Sequence, residues 1–197
     1  DVDGSSFVPR LNGMHIEWIA DHGNADDMIV DLFAGGGGAS TGMEMALRRP
    51  VSIALNHCRE AIEVHKVNHP LTHHYCEDVW AVSPRKAVGS RRVKWLWASS
   101  SCTHHSRAKG GVPLDKKIRG LSWAVVRWAR ETKPDFILGE NVFELTSWSP
   151  LLPNGRPDPE RKGQTFREWV AAIVDLGYSF DWRMLRAAVY GVRTTRD

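Results

Sequence analysis

The stretch Met28-Ile29-Val30-Asp31-Leu32-Phe33-Ala34-Gly35-Gly36-Gly37-Gly38-Ala39-Ser40 leaves this chain few ways to fold. An apolar run of strand length meets an acidic residue and then four consecutive glycines. Ser40 follows as a candidate N-cap for a helical segment, Thr41–Arg48. The order reads strand, tight turn, helix. Glycines suit a backbone that must take positive φ or let a ligand come close, and the helix behind them offers unpaired N–H groups and a positive dipole end. A nucleotide-like ligand is one guest for such a turn, and a plain structural turn is the other reading. The dinucleotide fingerprint also expects a third glycine where Ser40 stands and an acid about 20 positions on, where Asn56 follows the second apolar run, Val51–Leu55.

The same alternation continues downstream. Arg59–Asn68 is expected to be a helix with Ala61, Ile62, Val64 and Val67 on one face, closed by Pro70. A short strand is expected at His73–Cys76 and another at Val93–Ala98. Leu121–Arg130 reads as an amphipathic helix broken at Lys133-Pro134, and Asp135–Gly139 as the next strand. Trp148–Gly163, with four prolines and two glycines, reads as a surface excursion. Gln164–Leu176 reads as a helix burying Phe166, Trp169, Val170, Ile173 and Val174, and Tyr178–Leu185 alternates like a more exposed strand. Strand and helix in turn imply an α/β domain with a mostly parallel sheet. Residues 1–27 read as an N-terminal arm, and 197 residues suit one domain.

Three places carry candidate chemistry. His65 and His69 share a helical face near His73, His74 and Cys76, an arrangement open to zinc or to surface and capping roles, and its spacing matches no established metal pattern. Val93–Ala98 empties into Ser99-Ser100-Ser101-Cys102-Thr103-His104-His105-Ser106-Arg107-Ala108-Lys109-Gly110-Gly111, a polar, basic loop that no core could absorb. Such a loop leaves the carboxyl end of a strand, where open α/β sheets bind ligands. A thiolate at Cys102 is favoured among those cations, and an inert cysteine is the alternative. Lys116, Lys117 and Arg119 extend the positive charge, which suits a phosphate backbone. Glu140-Asn141-Val142 follows the fifth strand, where Glu140 is either a rim carboxylate or a cap for Val142–Thr146.

Together these blocks resemble the DNA cytosine-5 methyltransferases. Asp31–Ser40 is similar to the family's Asp-Leu-Phe-x-Gly-x-Gly-Gly motif, Glu140-Asn141-Val142 is identical to its glutamate motif, and Tyr190-Gly191-Val192 with Arg196 resembles the motif of a base-contacting arginine. The Cys102–Gly111 loop and Lys116–Leu121 resemble bacteriophage and prophage members. The resemblance implies a Rossmann-like methyltransferase fold with helices on both faces of the sheet, S-adenosylmethionine as methyl donor and S-adenosylhomocysteine as product. It implies catalytic roles for Cys102, Glu140 and Arg196. On the cofactor side it implies Phe33, Gly35 and Gly37 at the amino-acid part, Asn56 at the ribose and Asp78 at the adenine amino group, with Asp31, His57 and Val79 as further cofactor-binding residues. Ser106, Arg107, Lys109, Lys116, Lys117 and Arg119 are the implied nucleic-acid contacts.

Ser100-Ser101 and Thr103 depart from the family's proline before the cysteine and glutamine after it. Asn56 stands where an acid is usual. Family members continue past the arginine into a target-recognition domain, so the chain is expected to be a catalytic half with weak or absent sequence-specific methylation of its own. A tRNA cytosine-5 methyltransferase and an inactive binding relic are the competing expectations. No resident metal is expected. The expected partner is double-stranded DNA, with a cognate restriction enzyme in the same system, and the expected form is a monomer. The formal charge of +3 permits a polyanion partner, and 42% hydrophobic with 25% charged residues is ordinary globular composition. With no run of 18 apolar residues and three cysteines without paired spacing, a soluble, cytoplasmic, disulfide-free protein away from membranes is expected.

Overall fold

β1 (Met28–Leu32) is buried on both faces, which makes it a central strand. It pairs in parallel with β2 (Ile53–Leu55) on one side and β4 (Val93–Ala98) on the other. β3 (His73–Tyr75) extends the sheet beyond β2, and β5 (Phe136–Gly139) beyond β4. The order is therefore β3-β2-β1-β4-β5, all parallel, in a computed structural model that describes residues 26–100 and 120–191. Successive strands are added outward on one side from β1 to β3 and on the other side from β4 to β5, so the strand order reverses between β1 and β4. That switch point is where open α/β sheets leave a crevice at the carboxyl ends of their strands.

Strand alternation sends Met28, Val30 and Leu32 to one face and Ile29 and Asp31 to the other. The first face carries the larger core, with Val93, Leu96 and Ile53 under α3 (Pro84–Val88), α4 (Leu121–Thr132) and α5 (Gln164–Val174). Trp128, fully buried in α4, fills much of it. The second face is smaller: Ile29, Val51 and Trp95 meet Met43 and Leu47 of α1 (Gly38–Leu47), and Trp95 stacks on Phe136 at 4.5 Å. α2 (Arg59–Asn68) lies beside α1 on this second side. The expected α/β architecture with helices on both faces is the one observed.

Four local expectations are corrected. Ser40 is not the N-cap; Gly37 is, with φ 101°, and Ser40 sits inside the first turn with its hydroxyl turned toward the sheet. α2 buries Ile62 and His65 while Val64 and Val67 are 53% and 82% exposed, because the interior it meets on α1 is polar. Residues 178–186 are irregular rather than a strand: Asp181 Oδ1 accepts the Trp182 amide, and Trp182, Met184 and Leu185 are exposed. Alternating side chains cannot make a strand without a ladder to join. On α5 only Ile173 is fully buried, and Val174 is exposed.

Candidate active site

Backbone hydrogen bonds stitch the five strand exits into one rim. Asn56 N–H donates to Tyr75 O (3.1 Å), Ala34 N–H to Leu55 O (3.0 Å), Ser99 N–H to Leu32 O (3.4 Å) and Glu140 N–H to Ala98 O (3.3 Å). The glycine turn, the β2 and β3 exits, Ser100 and Glu140 consequently share the carboxyl edge of the sheet. Phe33 turns the chain out of β1 with φ 65°, a left-handed conformation uncommon for a bulky residue, and Gly35 follows with φ 54°. Phe33 is half-buried against the larger core, which holds it there.

Beneath the turn lies Asp31, which has no solvent exposure. Its Oδ2 accepts the Ser40 hydroxyl at 2.7 Å, and its Oδ1 is buried without a hydrogen-bond partner. Burial pushes the carboxyl up to about 7, against the opposing pull of the Ser40 hydrogen bond and of nearby His69. Ser40 has one proton and spends it on Asp31, so His65 Nε2–H donates to Ser40 Oγ (3.1 Å). His65 Nδ1 then accepts from His74 Nε2 (2.9 Å). His65 is fully buried in this neutral arrangement, and desolvation with the neighbouring histidines holds it down at about 4. His69 reaches Glu44 Oε2 through Nδ1 (2.9 Å) and Gly37 O through Nε2 (3.2 Å).

Of the histidines considered for zinc, His65, His69 and His74 are thus engaged in hydrogen bonds among themselves and with α1, and His73 meets the Tyr75 ring edge-on. No group of three metal-ligating side chains occurs among the described residues. His65, His69 and Ser40 are functional candidates that the sequence reading left without this role. Their signal was the i,i+4 histidine pair, on a helix whose valines proved to face outward.

The other expected cofactor residues sit at the neighbouring exits. Asn56 is half-buried, with Oδ1 accepting the Cys58 amide at 2.9 Å, which leaves its NH₂ group as what it can offer a ligand. His57 is exposed, Asp78 is exposed with Oδ1 on the Trp80 amide (2.8 Å), and Val79 is buried in the core behind it. Glu140 is exposed on the rim and does not cap a helix; Phe143–Ser147 is a 3₁₀ turn whose N-cap is Val142. Asn141, which the sequence reading quoted without a role, ties the two halves of the rim. Its Nδ2 donates to Ser100 O (3.0 Å), and its Oδ1 accepts the Val142 amide (2.9 Å). Ser100 Oγ in turn lies 3.0 Å from Ser122 Oγ on α4. Cys102, Ser106, Arg107, Lys109, Lys116, Lys117, Arg119 and Arg196 lie outside the described residues.

Comparison with known proteins agrees with this geometry. The family described as C-5 cytosine-specific DNA methylase matches residues 28–197. The Type II methyltransferase M.XorII of Xanthomonas oryzae is 31% identical over 177 residues, covering 85% of this chain and 38% of that protein. Type II methyltransferase M.Sau3AI of Staphylococcus aureus is 25% identical over 173 residues, covering 83% of this chain and 40% of its own length. The chain therefore spans about two fifths of the relatives it matches. In fold, it is similar to a protein encoded within an E. coli prophage and described as a DNA modification methyltransferase, with a TM-score of 0.56 and 21% identity over 76% of this chain and 38% of the other. With the family matched from β1 onward and the five-stranded parallel sheet in place, the chain belongs to the C-5 cytosine-specific DNA methylases.

Proposed function

We propose that residues 28–197 act as the catalytic domain of an S-adenosylmethionine-dependent DNA cytosine-5 methyltransferase, with residues 1–27 as an N-terminal arm. The observation that carries this reading is the stitched rim, which aligns the glycine turn, Ser100 and Glu140 on the exits of β1, β4 and β5. The donor set suits the cofactor. S-adenosylmethionine is cationic at its ammonium and sulfonium groups, and Asp31 holds a buried carboxyl oxygen with no partner beside the turn. Phe33, Gly35 and Gly37 would hold the amino-acid part, Asn56 and His57 the ribose, and Asp78 and Val79 the adenine. When bound, the cofactor supplies an electrophilic methyl group.

Carbon 5 of cytosine is a poor nucleophile, so the chain must first activate it. In this reading the Cys102 thiolate adds to carbon 6, forming a C–S bond and moving the ring's electron pair toward carbon 5. Glu140 gives a proton or strong hydrogen bond to N3, which accepts the density, and Arg196 steadies the base. After methylation the carbon-5 proton leaves, its electrons restore the double bond, and the thiolate departs. Attack on the ring face requires the base to leave the duplex stack. Ser106, Arg107, Lys109, Lys116, Lys117 and Arg119 would bind the phosphates of double-stranded DNA.

Trapping tests this directly. The chain, given S-adenosylmethionine and a duplex containing 5-fluorocytosine, is expected to form a denaturation-resistant adduct, because fluorine cannot leave as the proton does. Cys102→Ser is expected to form none. Adduct formation by that variant, or none by the wild-type chain, would overturn the assignment. A parallel tRNA arm separates the nucleic-acid classes.

A further inference from the structure

We propose that His69 is a positioning residue for the cofactor turn, clamped between Glu44 and the Gly37 carbonyl so that it fixes the turn from beneath. The inference rests on reading the turn as the cofactor seat. His69 follows α2 and is 4% exposed. Its two ring nitrogens face a carboxylate oxygen at 2.9 Å and a carbonyl oxygen at 3.2 Å. Both oxygens accept, so both nitrogens must donate, or Glu44 must hold the proton instead. In either case the pair carries one proton more than a neutral imidazole beside an ionised carboxylate. A bare Nε2 accepting from Thr41 Oγ1 (3.3 Å) would face the Gly37 carbonyl lone pair and take the threonine hydroxyl off that oxygen, to which it donates at 2.9 Å.

The ring also fills the space a side chain on Gly37 would need. A Cβ there would lie 2.5 Å from His69 Nε2 and 2.7 Å from Cδ2. Gly37 caps α1, and its carbonyl receives the Thr41 amide at 2.8 Å. Fixing this oxygen therefore fixes both the last turn residue and the first helical hydrogen bond. The groups facing His69 are Glu44 from α1, Asp31 from β1, and His65 with His74 from α2 and β3. His65 already donates to Ser40, so it does not compete for the same acceptors.

Asparagine and glutamine separate the two contacts, since an Asn amide nitrogen occupies the place of Nδ1 and a Gln amide nitrogen that of Nε2. Amide exchange across residues 34–41 and calorimetric titration with S-adenosylhomocysteine are measured on the wild-type chain, H69N and H69Q. H69N is expected to exchange the turn tenfold faster or more and to bind tenfold weaker or worse, with H69Q within threefold of wild type on both. Equal behaviour of the two variants would overturn the proposal, since the ring would then only fill space. An exchange contrast with no ligand binding by the wild-type chain would uphold the positioning role and overturn the cofactor reading instead. If H69N does not fold, H69Q carries the test: exchange and binding within threefold of wild type uphold the proposal, and a tenfold loss in either overturns it.

Discussion

Asp31 is held at odds with its surroundings. A carboxyl raised to about 7 keeps a proton in the native state that the unfolded chain releases above about 4. The native state thus binds more protons than the unfolded one between these values, and this residue's contribution to stability falls as pH rises through the window. At about 1.4 kcal/mol per unit, Asp31→Asn is expected to gain on the order of 4 kcal/mol relative to wild type between pH 4 and pH 8, as read by urea denaturation at each pH. His65 runs the other way. Depressed to about 4, it stays neutral in the native state, and its contribution is lost as pH falls from about 6.5 through 4.

The same carboxyl carries the ligand prediction. A cationic cofactor favours ionised Asp31, so affinity for S-adenosylmethionine is expected to weaken below about pH 7, by up to about tenfold per unit, and Asp31→Asn to bind weakly with no such slope. Calorimetry from pH 5.5 to 8.5 reads both. Asn56 offers a gain. Asn56→Asp keeps an oxygen for the Cys58 amide and adds an acceptor, so a several-fold tighter Kd for the cofactor is expected. At this scale the glycines and Asp31 were legible because their types are unusual where they stand. The partner of Ser40 was not, since a serine before a helix reads as a cap until the three-dimensional neighbour of its hydroxyl is known.

Elements show where local pattern suffices. α2 and β4 occupy the residues that periodicity predicts, since both are bounded by strong breakers or polar runs. Ser83-Pro84 begins α3, a helix not anticipated although proline at a first helical position is a start signal; five residues are too few for a periodic stripe. The buried side of α2 was misjudged because histidine counts as polar in any pattern, yet a paired histidine buries well. Gly37→Ala tests the α1–α2 contact: with φ 101° and a ring 2.5 Å from the new Cβ, a loss on the order of 3 kcal/mol in stability is expected, together with loss of cofactor binding. Asn141→Ala tests the other seam. Releasing Ser100 is expected to cut the rate of adduct formation with 5-fluorocytosine DNA at least tenfold and leave S-adenosylhomocysteine affinity within twofold, a split visible by gel and calorimetry.

For the whole molecule, sheet order decides what each half can do. In the proposed reading the cofactor side is built from β1, β2 and β3, and the side that leads toward Cys102 from β4 and β5, with β1 and β4 paired between them. The parallel order was inferable from alternating strands and helices, whereas residues 178–186 misled because alternation says nothing about whether a neighbouring strand is present to receive it. No helix among the described residues is long and apolar enough to cross a membrane.

The topology also bears on how the molecule assembles. β1, α1, β2, α2 and β3 are consecutive from Met28 to Tyr75, and the histidine cluster draws all its members from this stretch. β4 must instead return past β3 and β2 to reach β1. Such closure over a longer loop is entropically slower than joining sequence neighbours. The glycine turn and its histidines are thus expected to mature first during refolding, so that in the proposed reading a nascent chain would own a finished ligand seat before the strand leading to Cys102 has docked.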